Sequence, residues 1–98
     1  MMFRDASKFN QDIENWDVSK VKTMEMMFRH ANDFNKPLNW NTVSVTSMAY
    51  MFYDASTFNQ SLNDWDVSSV TVMPAMFMNA RVFNQPLNDW NVSKVTNM

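Results

Sequence analysis

The chain has no cysteine and no glycine, and only 3 of its 98 residues are proline. Without cysteine, neither a disulfide nor a thiolate metal site can form. Basic charge is scarce as well. Lys and Arg number 8 against 10 Asp and Glu, for a formal net charge of −2. None of the basic residues falls between Lys36 and Arg81. That excludes the clustered cationic surface through which proteins hold nucleic acid. Long apolar runs are missing too, so no segment is expected to insert in a membrane as a helix. The residues after Met1 lack the apolar stretch of a signal peptide, which places any export signal outside this chain. At this length one domain is expected.

What is present is heavily biased, with 11 Met and 4 Trp, and such bias points to internal repetition. Met-Phe occurs at Met2-Phe3, Met27-Phe28, Met51-Phe52 and Met76-Phe77, spaced 25, 24 and 25 residues apart. The same spacing carries Ala6, Ala31, Ala55 and Ala80, and then Phe9, Phe34, Phe58 and Phe83. Asn10, Asn35, Asn59 and Asn84 follow, as do Trp16, Trp40, Trp65 and Trp90. Val21, Val45, Val70 and Val95 and the methionines Met24, Met48, Met73 and Met98 complete the pattern. The second unit is one residue short, reading PLNW where its successors read SLNDW and PLNDW.

Within a unit, Met24, Met27, Phe28, Ala31 and Phe34 have the spacing of an apolar helical stripe. Thr23, Ser47 and Asn97 precede it, where N-cap oxygens are favoured, and Pro74 would sit in a first turn. The β-branched DVSKV, DVSSV and NVSKV segments read as short strands, with Pro37 and Pro86 marking the intervening turn. The expected fold is therefore an α/β repeat, a solenoid of about four units of 24–25 residues, each a short helix plus a short strand in a parallel ladder. A bundle of four helical hairpins fits the valine-rich and proline-containing segments badly. No polar capping unit is evident at either end, so the chain reads as an uncapped segment of a longer array, with further repeats or other chains at both ends.

The motif MFxxAxxFNQxLxxWDVSxVxxM resembles the 25-residue repeat of BspA-like leucine-rich-repeat surface proteins, the mycoplasma-lipoprotein-type domain of unknown function. The resemblance covers the whole chain. It implies a right-handed leucine-rich-repeat-like solenoid in a cell-surface or secreted protein that binds protein or glycan. It carries no catalytic, metal or cofactor residues, so none is expected here. Glycine often precedes the alanine of the motif in such repeats. Asp5, His30, Asp54 and Asn79 hold that position in this chain, and Asp and Asn tolerate turn geometry.

Several residues invite a functional reading. Trp16, Trp40, Trp65 and Trp90 could form an aromatic strip, but invariance across units favours a core ladder, as it does for Phe28, Phe52 and Phe77. Asn10, Asn35, Asn59 and Asn84 read as turn-fixing amides. Asp64 and Asp66 flank Trp65 and invite calcium or acid–base chemistry. The column after the Trp alternates Asp and Asn (Asp17, Asn41, Asp66, Asn91), so charge is not kept in every unit, as a calcium site needs. Asp64 has more freedom, because the second unit lacks it. His30, the only histidine, has neither a cysteine nor a second histidine as a partner. Of two glycosylation triplets, at Asn59 and Asn91, only Asn91 avoids the structural column. The positions that vary are Arg4, Arg29, Tyr53 and Met78, together with Lys20, Val43, Ser69 and Lys94. Arg29, Tyr53, Met78 and Asp64 are the candidate partner-facing residues. The expected role is a non-enzymatic module binding a protein, or a glycan. The alternative is a structural or linker subunit of a virion or membrane supercomplex.

Overall fold

Each unit bonds to the next through its backbone. The N–H groups of Met26, Phe28 and His30 donate to the carbonyls of Ala49, Met51 and Tyr53 at 2.9, 2.9 and 2.8 Å. One unit on, Tyr50, Phe52 and Asp54 donate to Pro74, Met76 and Met78 at 3.0, 2.9 and 2.9 Å. Phe3 and Asp5 make the same bonds to Met27 and Arg29. The computed structural model describes residues 3–97. Met2 of the first Met-Phe pair and Met98 of the methionine column lie outside them.

Among the described residues there is no helix and no extended strand, and parallel pairing is confined to three isolated bridges, Thr23↔Ser47, Ser47↔Val72 and Val72↔Asn97. The expected α/β, leucine-rich-repeat-like right-handed solenoid of helix-plus-strand units is thereby overturned. The molecule is a compact globule of successive turns, 34 × 26 × 22 Å, with a radius of gyration of 12.2 Å.

The helical spacing has another cause. Met27, Arg29 and Ala31 donate to Met24, Met26 and Phe28 at 3.2, 3.1 and 3.0 Å, so i→i+3 bonds recur at every second residue. Met24 and Met27, Phe28 and Ala31, then Ala31 and Phe34 are the first and last residues of such turns, and all are buried. The central residues Glu25, Met26, Arg29, His30, Asn32 and Asp33 are half-buried or exposed. Turns joined in this way place apolar residues at i, i+3, i+4, i+7 and i+10, the same spacing as a helical stripe. A helix needs each N–H to reach the i−4 carbonyl. Here alternate N–H groups leave the unit instead.

The valine segments are turns as well. Val21, Val45, Val70 and Val95 donate to Val18, Thr42, Val67 and Val92 at 3.0 Å each. Thr23, Ser47 and Asn97, expected as helix N-caps, form the bridge column instead. Pro74 takes the second position of the turn Met73–Met76, where its fixed φ suits the chain.

Positive φ recurs at Met26 and His30 (56° and 60°), Tyr50 and Asp54 (56° and 58°), and Ala75 and Asn79 (51° and 59°), with Asp5 at 61°. This left-handed region costs a residue with a Cβ roughly 1–2 kcal/mol, and the chain has no glycine to relieve it. Part of that cost is lost again in the more flexible unfolded chain of a glycine variant. Ala75→Gly is therefore expected to raise stability by about 1 kcal/mol, read as a higher urea midpoint with an unchanged slope.

The core is built of aromatic ladders. Phe3, Phe28, Phe52 and Phe77 stack at successive centroid distances of 5.5, 5.4 and 5.7 Å. Phe9, Phe34, Phe58 and Phe83 stack at 5.7, 5.9 and 6.0 Å. Within units the two ladders touch, at 4.4 Å for Phe28–Phe34 and 4.3 Å for Phe52–Phe58. Phe28, Phe34, Phe52 and Phe58 are wholly buried, and each contributes roughly 1.5–3 kcal/mol of apolar burial.

Candidate functional site

The tryptophans tie each unit to the one before. Trp40, Trp65 and Trp90 donate their indole N–H to the carbonyls of Ile13, Leu38 and Leu62 at 3.1, 2.6 and 2.7 Å. Trp40 and Trp65 stack at 6.4 Å and are buried, Trp90 is half-buried, and Trp16 is 42% exposed. No continuous strip of exposed indoles therefore exists.

The asparagines form a second ladder. The backbone N–H groups of Asn35, Asn59 and Asn84 donate to Oδ1 of Asn10, Asn35 and Asn59 at 2.9, 2.9 and 3.0 Å. Gln60 and Gln85 add bonds from Nε2 to the carbonyl and side-chain oxygens of Asn35 and Asn59. Amide oxygens turned onto the next unit are spent on the fold.

The alternation of Asp and Asn after each Trp also has a local explanation. Oδ1 of Asp17, Asn41, Asp66 and Asn91 accepts the N–H of Ser19, Val43, Ser68 and Ser93 at 3.0, 3.1, 3.0 and 3.1 Å. Either side chain supplies the single oxygen that this turn requires. Val43 thus aligns with Ser19 rather than with Lys20, whose counterpart in the short unit is Ser44. Thr42 stands where other units have valine; it is wholly buried, and its hydroxyl donates to the Asp66 carbonyl at 3.1 Å. Asn91, the glycosylation candidate, is exposed with its oxygen in this turn.

The hydroxyls of Ser19 and Ser68, and then their N–H groups, hold the Asp17 and Asp66 carboxyls below the ordinary 3.8. A carboxyl depressed on folding stabilises the native state above its unfolded pKa, and that contribution disappears as pH falls through the folded value. The double variant Asp17→Asn, Asp66→Asn is therefore expected to melt like the parent near neutrality. Its melting temperature should fall less steeply from about pH 5 to about pH 2.

Asp64 and Asp66 do not act as a pair. Asp66 is turned onto Ser68, whereas Asp64 lines an open indentation of about 340 Å³ with Asn39, Trp40, Asn41, Ser61 and Trp65. Beside it, Asn63 and Asp89 bond reciprocally at 3.0 and 3.1 Å, and Asn39 donates to Glu14.

A polar groove of about 640 Å³ is lined by Asp5, Ser7, His30, Asn32, Asp54, Ser56, Asn79 and Arg81. His30 lies between two carboxylates, with Nδ1 2.8 Å from Asp5 and Nε2 2.9 Å from Asp54. When protonated, the ring donates to both. With both nitrogens engaged, none is left to take a proton from Ser7 or Ser56, as nucleophilic catalysis would need. Nor, among the described residues, do three or more His, Cys, Asp or Glu converge where a metal ion could bind. The repeat register was the signal for this cluster: Asp5, His30 and Asp54 share one column, and adjacent units are in contact.

Across the turn from these residues runs the column Arg29, Tyr53 and Met78. The Arg29 guanidinium lies 5.5 Å from the Tyr53 ring centroid, within cation–π reach. Tyr50 meets Tyr53 edge-on at 6.0 Å, and a hollow of about 290 Å³ lies between Met26, Arg29, Tyr50 and Tyr53. Met78 is 54% exposed and Tyr50 37%. The site residues named from sequence thus divide between ladder members and this column, half-buried at Arg29 and Tyr53 and exposed at Met78, with Asp64 at its own indentation.

A family model described as Mycoplasma protein of unknown function, DUF285, matches residues 1–98. No curated protein and no solved structure matches the chain.

Proposed function

The chain belongs to the family described as Mycoplasma protein of unknown function, DUF285, and from that premise we propose that it is a non-catalytic binding module of the BspA-like surface-protein kind. Its partner is a protein, with a glycan as the other candidate ligand, and its location is the cell surface or the secreted fraction. One observation carries this reading. The columns that repeat without change are taken up by stacking and inter-unit bonds, while the column that changes chemistry keeps access to solvent, half-buried at Arg29 and Tyr53 and exposed at Met78. That column offers a cation at Arg29, a phenol at Tyr53 and a thioether at Met78, flanked by the exposed ring of Tyr50. Aromatic, Met and Arg side chains are the types enriched where proteins meet.

The test screens the 98-residue chain against arrays of extracellular proteins and of glycans. The triple variant Arg29→Ala, Tyr53→Ala, Met78→Ala is screened beside it. A ligand bound by the parent and lost by the variant, with melting temperatures matched, supports the proposal. Binding that survives the triple change, or no ligand on either array, overturns it.

A second reading, a structural or linker subunit in a virion or membrane supercomplex, draws on an apolar hollow at the fourth unit. Its volume is about 510 Å³, and it is lined by Met73, Ala75, Met76, Phe77, Met78, Leu87, Trp90 and Val92.

A further inference from the structure

Arg29 carries a half-buried guanidinium, and the carboxylates of the turns around it are engaged elsewhere. Asp5 lies 3.5 Å from Arg4 and 2.8 Å from His30, and Asp54 lies 2.9 Å from His30. Glu25, on the same turn as Arg29, accepts the Ser47 hydroxyl at 2.7 Å. Arg4, one unit earlier in the column, thus has a carboxylate partner, and Arg29 has none among the described residues. What Arg29 has instead is the Tyr53 ring at 5.5 Å, whose face supplies part of the stabilisation an anion gives.

That ring is itself held in place. His30 leans on it at 5.7 Å and Tyr50 meets it edge-on at 6.0 Å, while Asp5 and Asp54 fix His30 from either side. Arg29, Tyr50, Tyr53 and Met26 border the hollow of about 290 Å³. Groups ordered before a ligand arrives lower the entropic cost of binding it.

The chemistry of the hollow selects its occupant. A guanidinium matches a carboxylate, to which it donates two parallel bonds. The space beside it lies at the low end of the range for ligand pockets and is walled by a thioether and two phenol rings. It has room for one apolar side chain. Because Tyr50 meets Tyr53 edge-on and Arg29 covers one approach to Tyr53, the two rings do not form a flat platform for a sugar.

We propose that this hollow receives an acidic residue of a protein partner. Its carboxylate forks onto Arg29, and an adjoining aromatic or aliphatic side chain enters the space between Met26, Tyr50 and Tyr53. The inference deepens the reading of the Arg29, Tyr53 and Met78 column as partner-facing and rests on it.

The test probes the 98-residue chain on an array of peptides in which one glutamate is flanked by every pair of residues, beside a matching array with glutamine in its place. Binding is expected on the glutamate array only, strongest where a neighbour is aromatic or aliphatic, and weakened by added salt. In solution titrations with the strongest of these peptides, Arg29→Gln should weaken binding about ten- to a hundredfold. Arg29→Lys keeps the charge without the fork and should recover part of that loss. If Arg29→Gln lowers the melting temperature, Tyr50→Ala decides instead: it alters an exposed ring and should abolish the preference for an apolar neighbour. Equal binding of glutamine peptides, no bound peptide, or binding unchanged by the deciding variant overturns the proposal. So does Arg29-dependent binding of a glucuronate-ended glycan where no peptide binds. A protein ligand that the triple variant loses but Arg29→Gln keeps would leave the partner-facing reading standing and sink this inference alone.

Discussion

Trp65→Ala is expected to cost about 3–5 kcal/mol, against a total stability of about 5–15 kcal/mol for a domain of this length. The indole is 4% exposed, stacks on Trp40 and packs near Phe52 at 6.4 Å, and donates to Leu38 at 2.6 Å. Its removal opens a cavity between two units and leaves the Leu38 carbonyl with the Trp40 N–H, at 2.8 Å, in place of two donors. The loss should be cooperative, because the third unit lies between neighbours that bond through it. Trp65→Phe keeps one aromatic ring but loses the bond and the packing of the indole's second ring, for about 1–3 kcal/mol. Trp16→Ala should cost less than either, since its ring is 42% exposed. Urea midpoints at constant slope give all three values. A midpoint for Trp65→Ala within error of the parent would show that the ladder does not hold the fold.

The repeat, its period and the deletion in the second unit could be read directly from the Met-Phe, Asn and Trp positions. Which residues face inward was legible too, because both a helix and a run of turns place apolar residues at i, i+3, i+4 and i+7. The element type was not legible for that same reason. Deciding it needs the destination of alternate N–H groups, such as Phe28 to Met51, a long-range contact with no local signature. The left-handed residues were hidden as well: Met26, Tyr50 and Ala75 have positive φ with none of the chemistry that usually marks it. At the other column, Asp5, His30, Asp54 and Asn79, the side chains gave a hint, since Asp and Asn tolerate that region. The Asp5–His30–Asp54 cluster required stacking the columns on one another. His30 taken alone has no partner in its own unit, and its partners lie one unit either side.

The asparagine ladder distinguishes architecture from ligand binding most sharply. Asn59 Oδ1 accepts the Asn84 N–H at 3.0 Å and Gln85 Nε2 at 3.0 Å, while the Asn59 N–H donates to Asn35 at 2.9 Å. Asn59→Ala keeps the last of these and deletes the first two. The Asn84 N–H then has no protein acceptor, and the expected loss is about 2 kcal/mol, moderated by the water that reaches this half-buried position. Asn59→Asp keeps an oxygen in the same place and strengthens it with charge, so its stability near neutral pH should lie within about 0.5 kcal/mol of the parent. Asn84→Ala tests the same chemistry at a side chain whose Oδ1 accepts no N–H among the described residues, and should change stability by no more than about 0.5 kcal/mol. The order Asn59→Ala, then Asn59→Asp and Asn84→Ala together, follows only if the amide oxygen serves the next unit. Equal and small effects at all three positions would mean that the column is free to hold a ligand, and binding experiments should then begin there.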